Sequence, residues 1–125
     1  MSRNDLDANI KATRAFVRAC FEKQPSPEEF EAVFDYNMLV PPSIRGAHLS
    51  RPASDGSILA KLDVPVLVTQ GSEDKLVLRC LGELTAAAVP GARLSIYDGI
   101  GHAPFAENAA RFNRELAEFV RAAQV

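Results

Sequence analysis

The chain has 125 residues, enough for one domain with a modest core. An apolar share of 47% and a charged share of 24% are those of an ordinary globular protein, and a net charge of −2 gives no electrostatic reason to expect nucleic acid or an anionic membrane as partner. No apolar run approaches the roughly 20 residues of a membrane span, and Met1-Ser-Arg-Asn-Asp carries no signal-peptide core, so a cytoplasmic location is expected.

The first predicted helix runs from Leu6 to Phe21. Leu6, Ile10, Thr13, Val17 and Cys20, joined by Phe16 and Phe21, fall on one face, with Lys11, Arg14, Arg18 and Glu22 opposite. Gln24-Pro25 ends it. Ser26-Pro27-Glu28-Glu29 is a strong helix start, with Ser26 at the cap, Pro27 in the first turn and Glu29 placed to close a capping box. Phe30, Val33, Phe34 and Met38 form the buried stripe of that second helix. Pro41-Pro42 stops it and opens a short third helix through Ile44, Ala47 and Leu49, which Arg51-Pro52 ends. Ser54 to Leu62 reads as one or two more helical turns, with Ile58, Leu59 and Leu62 inward.

The pattern changes at Val64. Val66-Leu67-Val68 is too short for a helix and apolar on both faces, as in a strand buried within a parallel sheet, and Gly71 marks its end. A helix is predicted from Leu76 to Val89, with Leu78, Leu81, Leu84, Thr85 and Ala88 inward, closed by Pro90-Gly91. Arg93 to Tyr97 alternates as a second strand, and Asp98-Gly99 is a turn signal. The last helix spans Asn108 to Ala123, with Ala109, Phe112, Leu116, Phe119 and Val120 on the core side. The pairs Arg111–Glu115 and Arg114–Glu118 are expected outside.

The expected class is therefore α/β: a helical segment over residues 1–62, then a β-α-β-α unit over residues 63–125 whose short connections require parallel strands. Two strands make a marginal sheet, and these are too apolar for exposed edges. The pattern implies more sheet than the chain contains.

In open parallel sheets, catalytic groups gather beyond the carboxyl ends of the strands. Asp74 follows Gly71 by three residues, and His102 follows Gly99 by three, so both fall on loops at one sheet edge. A carboxylate beside an imidazole fixes its tautomer and stabilises the imidazolium formed when the ring takes a proton. These two residues are the expected acid and base. A nucleophile is harder to find. Ser72 shares the loop of Asp74, while Ser50, Ser54 and Ser57 sit in the helical segment, none in a strand-to-helix elbow. Cys20 and Cys80 fall mid-helix and read as small buried hydrophobes in a reducing compartment. Asp98 is a rival acid, but its Asp-Gly setting favours a turn role. His48, between Ala47 and Leu49, reads as a partly buried or surface histidine. No cysteine–histidine cluster suggests a metal, and no cofactor is implied.

The stretches Leu62-Asp-Val-Pro-Val-Leu-Val-Thr-Gln-Gly-Ser-Glu-Asp74 and Pro90-Gly-Ala-Arg-Leu-Ser-Ile-Tyr-Asp-Gly-Ile-Gly-His102-Ala-Pro-Phe, with the closing helix, resemble the C-terminal part of the α/β-hydrolase fold. Within it they look most like the bacterial esterase and cofactor-free haloperoxidase-like branch. The resemblance covers about residues 60–123 and implies that Asp74 and His102 are the acid and histidine of a catalytic triad, in the family's chain order. It also implies that the helical residues 6–60 are a cap ahead of these strands. The departure is the nucleophile: the sequence has no Gly-x-Ser-x-Gly elbow. The expected function is the C-terminal portion of an esterase-like hydrolase acting on a small-molecule substrate, inactive alone. The alternative is a non-catalytic module that pairs through its exposed strand with a second copy or a separate N-terminal half.

Overall fold

The computed structural model describes residues 3–50, 52 and 56–123. Arg51, Ser54 and the side chain of Leu49 lie outside the described residues. The elements follow in the order α1 (Arg3–Ala19), α2 (Pro27–Met38), α3 (Pro42–Leu49), a 3-10 turn (Leu59–Lys61), β1 (Leu67–Gly71), α4 (Arg79–Ala88), β2 (Arg93–Tyr97), α5 (Pro104–Glu107) and α6 (Ala109–Ala123). Among the described residues β1 and β2 form a two-stranded parallel sheet, in register from Leu67 opposite Arg93 to Gly71 opposite Tyr97.

The helical segment has its own core. Val17 and Phe21 pack with Phe30 and Phe34 of α2, and Ala103, from the loop after β2, completes the cluster. The residue that joins the two halves of the chain in one core therefore lies next to His102. Helix α2 begins on a full capping box: the Ser26 hydroxyl accepts the Glu29 N–H, and the Glu29 carboxylate accepts the Ser26 N–H. This satisfies two otherwise orphaned donors. Ser26→Ala is expected to cost about 1 kcal/mol of stability, seen as a thermal midpoint lower by several degrees in a melting curve followed by circular dichroism.

Among the described side chains of helix α3, the anchor is polar, not apolar. Ile44 is 58% exposed. Arg45 instead reaches back, donating from Nη1 to the fully buried Thr13 hydroxyl at 2.6 Å and from Nη2 to the carbonyls of Val40 and Asn37. Thr13 lies on the inward face as its spacing indicates, but as a hydrogen-bonding partner. Phe16 of α1 is exposed, contrary to the expectation, because the core is filled from Val17 and Phe21.

Helix α4 packs one residue out of phase with the expected stripe. Gly82 and Val89 are buried and Thr85 and Ala86 half-buried, whereas Leu78, Leu81 and Leu84 are exposed, Leu84 by 63%. The cause is a close approach. A Cβ on Gly82 would lie 2.7 Å from the Gln70 side chain, so only glycine lets the helix settle on β1 there. Helix α6 is likewise rotated. Leu116 and Val120 are exposed, while Arg111 and Glu115, expected outside, face β2. Glu115 accepts hydrogen bonds from the Ser95 hydroxyl and the Tyr97 hydroxyl, each at 2.7 Å, and pairs with Arg111 at 2.7 Å. The Arg111 guanidinium lies 4.0 Å from the Tyr97 ring centroid.

Burial opposes ionisation of Glu115, but Arg111 and the two hydroxyl donors outweigh it and bring its carboxyl down to about 2. Burial and the neighbouring Glu115 carboxylate push Tyr97 up to about 12. A lowered carboxyl stabilises the fold fully above its unfolded value and loses that contribution as pH falls through the folded one. Resistance to urea should therefore fall as the pH is lowered from about 4.5 to about 2, and Glu115→Gln should flatten that limb of the curve.

Candidate active site

The ends of β1 and β2 are brought together by backbone contact. A Cβ on Gly71 would lie 1.9 Å from the Gly101 carbonyl oxygen and 2.3 Å from that of Ile100, so the acid loop and the histidine loop touch directly. The parallel ladder then continues into the loops: Ser72 N–H donates to the Tyr97 carbonyl and Glu73 N–H to that of Ile100, each at 3.0 Å. Gly99, at φ +69°, makes the turn that returns the second loop over the first.

On this frame Asp74 folds back into the protein. Its Oδ1 accepts the N–H groups of Leu76 and Val77 at 2.8 and 2.9 Å. This side-chain turn occupies the stretch expected to be helical and delays α4 to Arg79. Oδ2 faces Nδ1 of His102 at 2.8 Å. The Asp74 side chain is 5% exposed and that of His102 40% exposed. The carboxylate is thus enclosed while the imidazole reaches the surface, and among the described residues Nε2 takes no hydrogen bond. Burial pushes the Asp74 carboxyl up; the Val77 N–H, the His102 ring and the Leu76 N–H together outweigh it and hold the group below its ordinary value.

The other candidates are placed elsewhere. Ser72 is committed to the turn, its Oγ accepting the Gly99 N–H at 2.9 Å and donating to Glu73 at 2.9 Å. Asp98 belongs to the turn after β2, apart from the Asp74–His102 contact. His48 is exposed on α3, Ser57 is exposed, and the Ser50 hydroxyl bonds the Ala47 carbonyl. Cys80 is exposed on α4, which corrects the expectation that both cysteines are buried. Cys20 is half-buried just past α1, and its carbonyl accepts the His102 N–H at 2.9 Å. Burial, with a contribution from Asp74, pushes its thiol up, away from the thiolate that a nucleophile needs. A cavity of about 470 Å³ lies between Phe21, Pro25, Val33 and Ala106, and neither Asp74 nor His102 lines it.

Two supporting residues escaped the sequence reading. Gln70 is buried at the end of β1 and donates from Nε2 to Asp74 Oδ2 at 3.3 Å and to the carbonyls of Gly71 and Val77, each at 3.0 Å. Its one signal is an amide in a strand that is otherwise apolar before Thr69. Glu107 holds the histidine loop from below, its Oε1 accepting the Gly101 N–H at 2.9 Å.

No protein-family model matches the chain. Over 65 residues, half of this chain and 24% of the relative, it is 37% identical to the non-heme chloroperoxidase CPO-A1 of Kitasatospora aureofaciens. Over 63 residues, again half of the chain and 24% of the relative, it is 35% identical to a pimeloyl-[acyl-carrier protein] methyl ester esterase of Neisseria meningitidis. The esterase RhEst1 from Rhodococcus sp. ECU1013 superposes with a TM-score of 0.86 and 30% identity, covering 98% of this chain and 44% of that one. The match spans about a quarter of the length of these curated relatives and less than half of the esterase structure. In sequence and in architecture the chain matches the C-terminal part of the α/β-hydrolase fold, within the esterase and haloperoxidase-like branch of that family.

Proposed function

We propose that Asp74 and His102 are the acid and base of an ester hydrolase whose nucleophile comes from sequence other than these 125 residues. The observation that carries this reading is the 2.8 Å contact between an enclosed carboxylate and Nδ1 of an imidazole that is 40% exposed and, among the described residues, takes no hydrogen bond on Nε2. In such a site Asp74 holds the Nδ1–H tautomer. Nε2 of His102 takes the proton of an attacking hydroxyl, and the resulting imidazolium, stabilised by Asp74, returns the proton to the leaving alkoxide. The substrate is a small-molecule ester, and residues 1–62 form the cap over it. Neither step has a reactant here, since the sequence holds no Gly-x-Ser-x-Gly elbow. The chain alone is therefore expected to hydrolyse a panel of p-nitrophenyl esters at the background rate. Turnover that disappears in His102→Ala would contradict this and require a nucleophile within the chain.

A second reading has its own observation. Val64, Leu78, Leu81 and Leu84 are exposed apolar side chains, and among the described residues β1 pairs on one side only, with β2. Such an edge invites strand addition by a second copy or by a complementing N-terminal half. Light scattering after size exclusion separates the two cases: a stable, protease-resistant monomer counts against pairing, and a dimer favours it.

A further inference from the structure

The turn between α1 and α2 belongs to a segment read as a cap, yet it is bonded into the histidine loop more heavily than a movable lid requires. One carboxylate makes most of that seam. Glu107 Oε1 accepts the Gly101 N–H at 2.9 Å, and Oε2 accepts the N–H groups of Glu22 and Lys23 at 3.1 and 2.8 Å. The His102 N–H donates to the Cys20 carbonyl at 2.9 Å. The two backbones are in close contact, because a Cβ on Gly101 would lie 2.7 Å from the Glu22 nitrogen and 3.0 Å from the Cys20 carbonyl oxygen. The acid loop reaches the same turn through Lys75, paired with Glu22 at 2.8 Å.

We propose that Glu107 is a positioning residue, which locks the Gly101–His102 backbone to the Cys20–Lys23 turn and so aims the His102 ring at Asp74. The turn is on this account a fixed wall of the site, and any cap motion must hinge beyond it. The chemistry requires a carboxylate. Three N–H donors converge on two oxygens, and an amide of the same size would direct its own NH₂ at donors on one side. The catalytic meaning of this positioning rests on the role proposed for His102, but the ring's state can be read without any turnover.

The chain has two histidines, so its imidazole ¹⁵N spectrum holds two sets of signals, and His48→Asn assigns them. The neutral His102 ring should show the Nδ1–H tautomer. In Glu107→Gln its signals should move toward those of the exposed His48. The amides of Glu22, Lys23, Gly101 and His102 should then exchange about tenfold faster as one set, the scale of one lost hydrogen bond, while those of α2 keep their rates. A folded Glu107→Gln whose His102 signals are unchanged overturns the proposal. If that variant does not fold, exchange in the unaltered chain decides: protection of those four amides as one set supports the lock, and exchange at unstructured-chain rates overturns it. Should the ring respond to Glu107 while His102→Ala leaves ester turnover intact in a complemented enzyme, the catalytic reading fails and the positioning stands. The converse result removes the positioning alone.

Discussion

In a chimera where this chain replaces the matching C-terminal part of the Rhodococcus esterase, His102→Ala is expected to lower kcat on p-nitrophenyl esters by about 10⁴- to 10⁶-fold, with little change in KM. Asp74→Asn should cost about 10⁴-fold. The reasons differ between the two. On the role proposed for His102, removing the imidazole removes the base for the reacting hydroxyl, leaving binding and oxyanion stabilisation from the rest of the chimera. Replacing the carboxylate leaves the ring present but no longer held by Asp74 Oδ2 at 2.8 Å, and an amide can favour the wrong tautomer. The amide Oδ1 can still accept the Leu76 and Val77 N–H groups, so the conflict in Asp74→Asn falls on the Oδ2 side, where an NH₂ would face the buried Gln70 Nε2 donor as well as the ring. Steady-state kinetics beside a urea melt of each variant separates the two effects. His102 should show a large kinetic and small stability change, and Asp74 a change in both.

The largest effect on stability is expected at Gly71. Gly71→Ala would drive a methyl group to 1.9 Å from the Gly101 carbonyl oxygen, 2.3 Å from that of Ile100 and 2.9 Å from the Gly101 carbonyl carbon. All three atoms are backbone, so no side-chain rotation relieves the clash; the two loops must separate. A cost of about 3 kcal/mol or more follows, at the upper end of overpacking effects, read as a lower urea midpoint. Gly46→Ala supplies the control. It lies inside α3 with nothing within 4 Å of the added Cβ, and is expected to be neutral or stabilising by about 0.5–1 kcal/mol. A chain that tolerates Gly71→Ala as well as Gly46→Ala would contradict the direct contact of the two loops.

What could be read from sequence was local. The capping box at Ser26 and Glu29 is contained in four residues, and β2 emerges at the expected Arg93–Tyr97 because its alternation and its flanking turns are contiguous. The Gly71–Asp74 and Gly99–His102 spacings sufficed to put both side chains at one sheet edge, where they meet. The failures share a cause in distant partners. Helix α4 carries enough leucines to suggest a stripe, but Gly82 and the Gln70 side chain decide which face reaches the sheet. Arg111 and Glu115 have ideal spacing for an exposed pair, yet Ser95 and Tyr97 supply hydroxyls that draw them inward. Glu107 gave no signal, because two of its three donors belong to a turn more than 80 residues away in sequence.

On the proposed reading, this chain contributes a base and the nucleophile comes from elsewhere. Labelling the chimera with a p-nitrophenyl phosphonate, followed by mass spectrometry, measures both at once. A single label is expected on a residue of the esterase-derived half, formed at a rate that falls by about 10³-fold or more in His102→Ala. A label on Ser72, Cys20 or any other residue of this chain, or labelling at the same rate without His102, would contradict it.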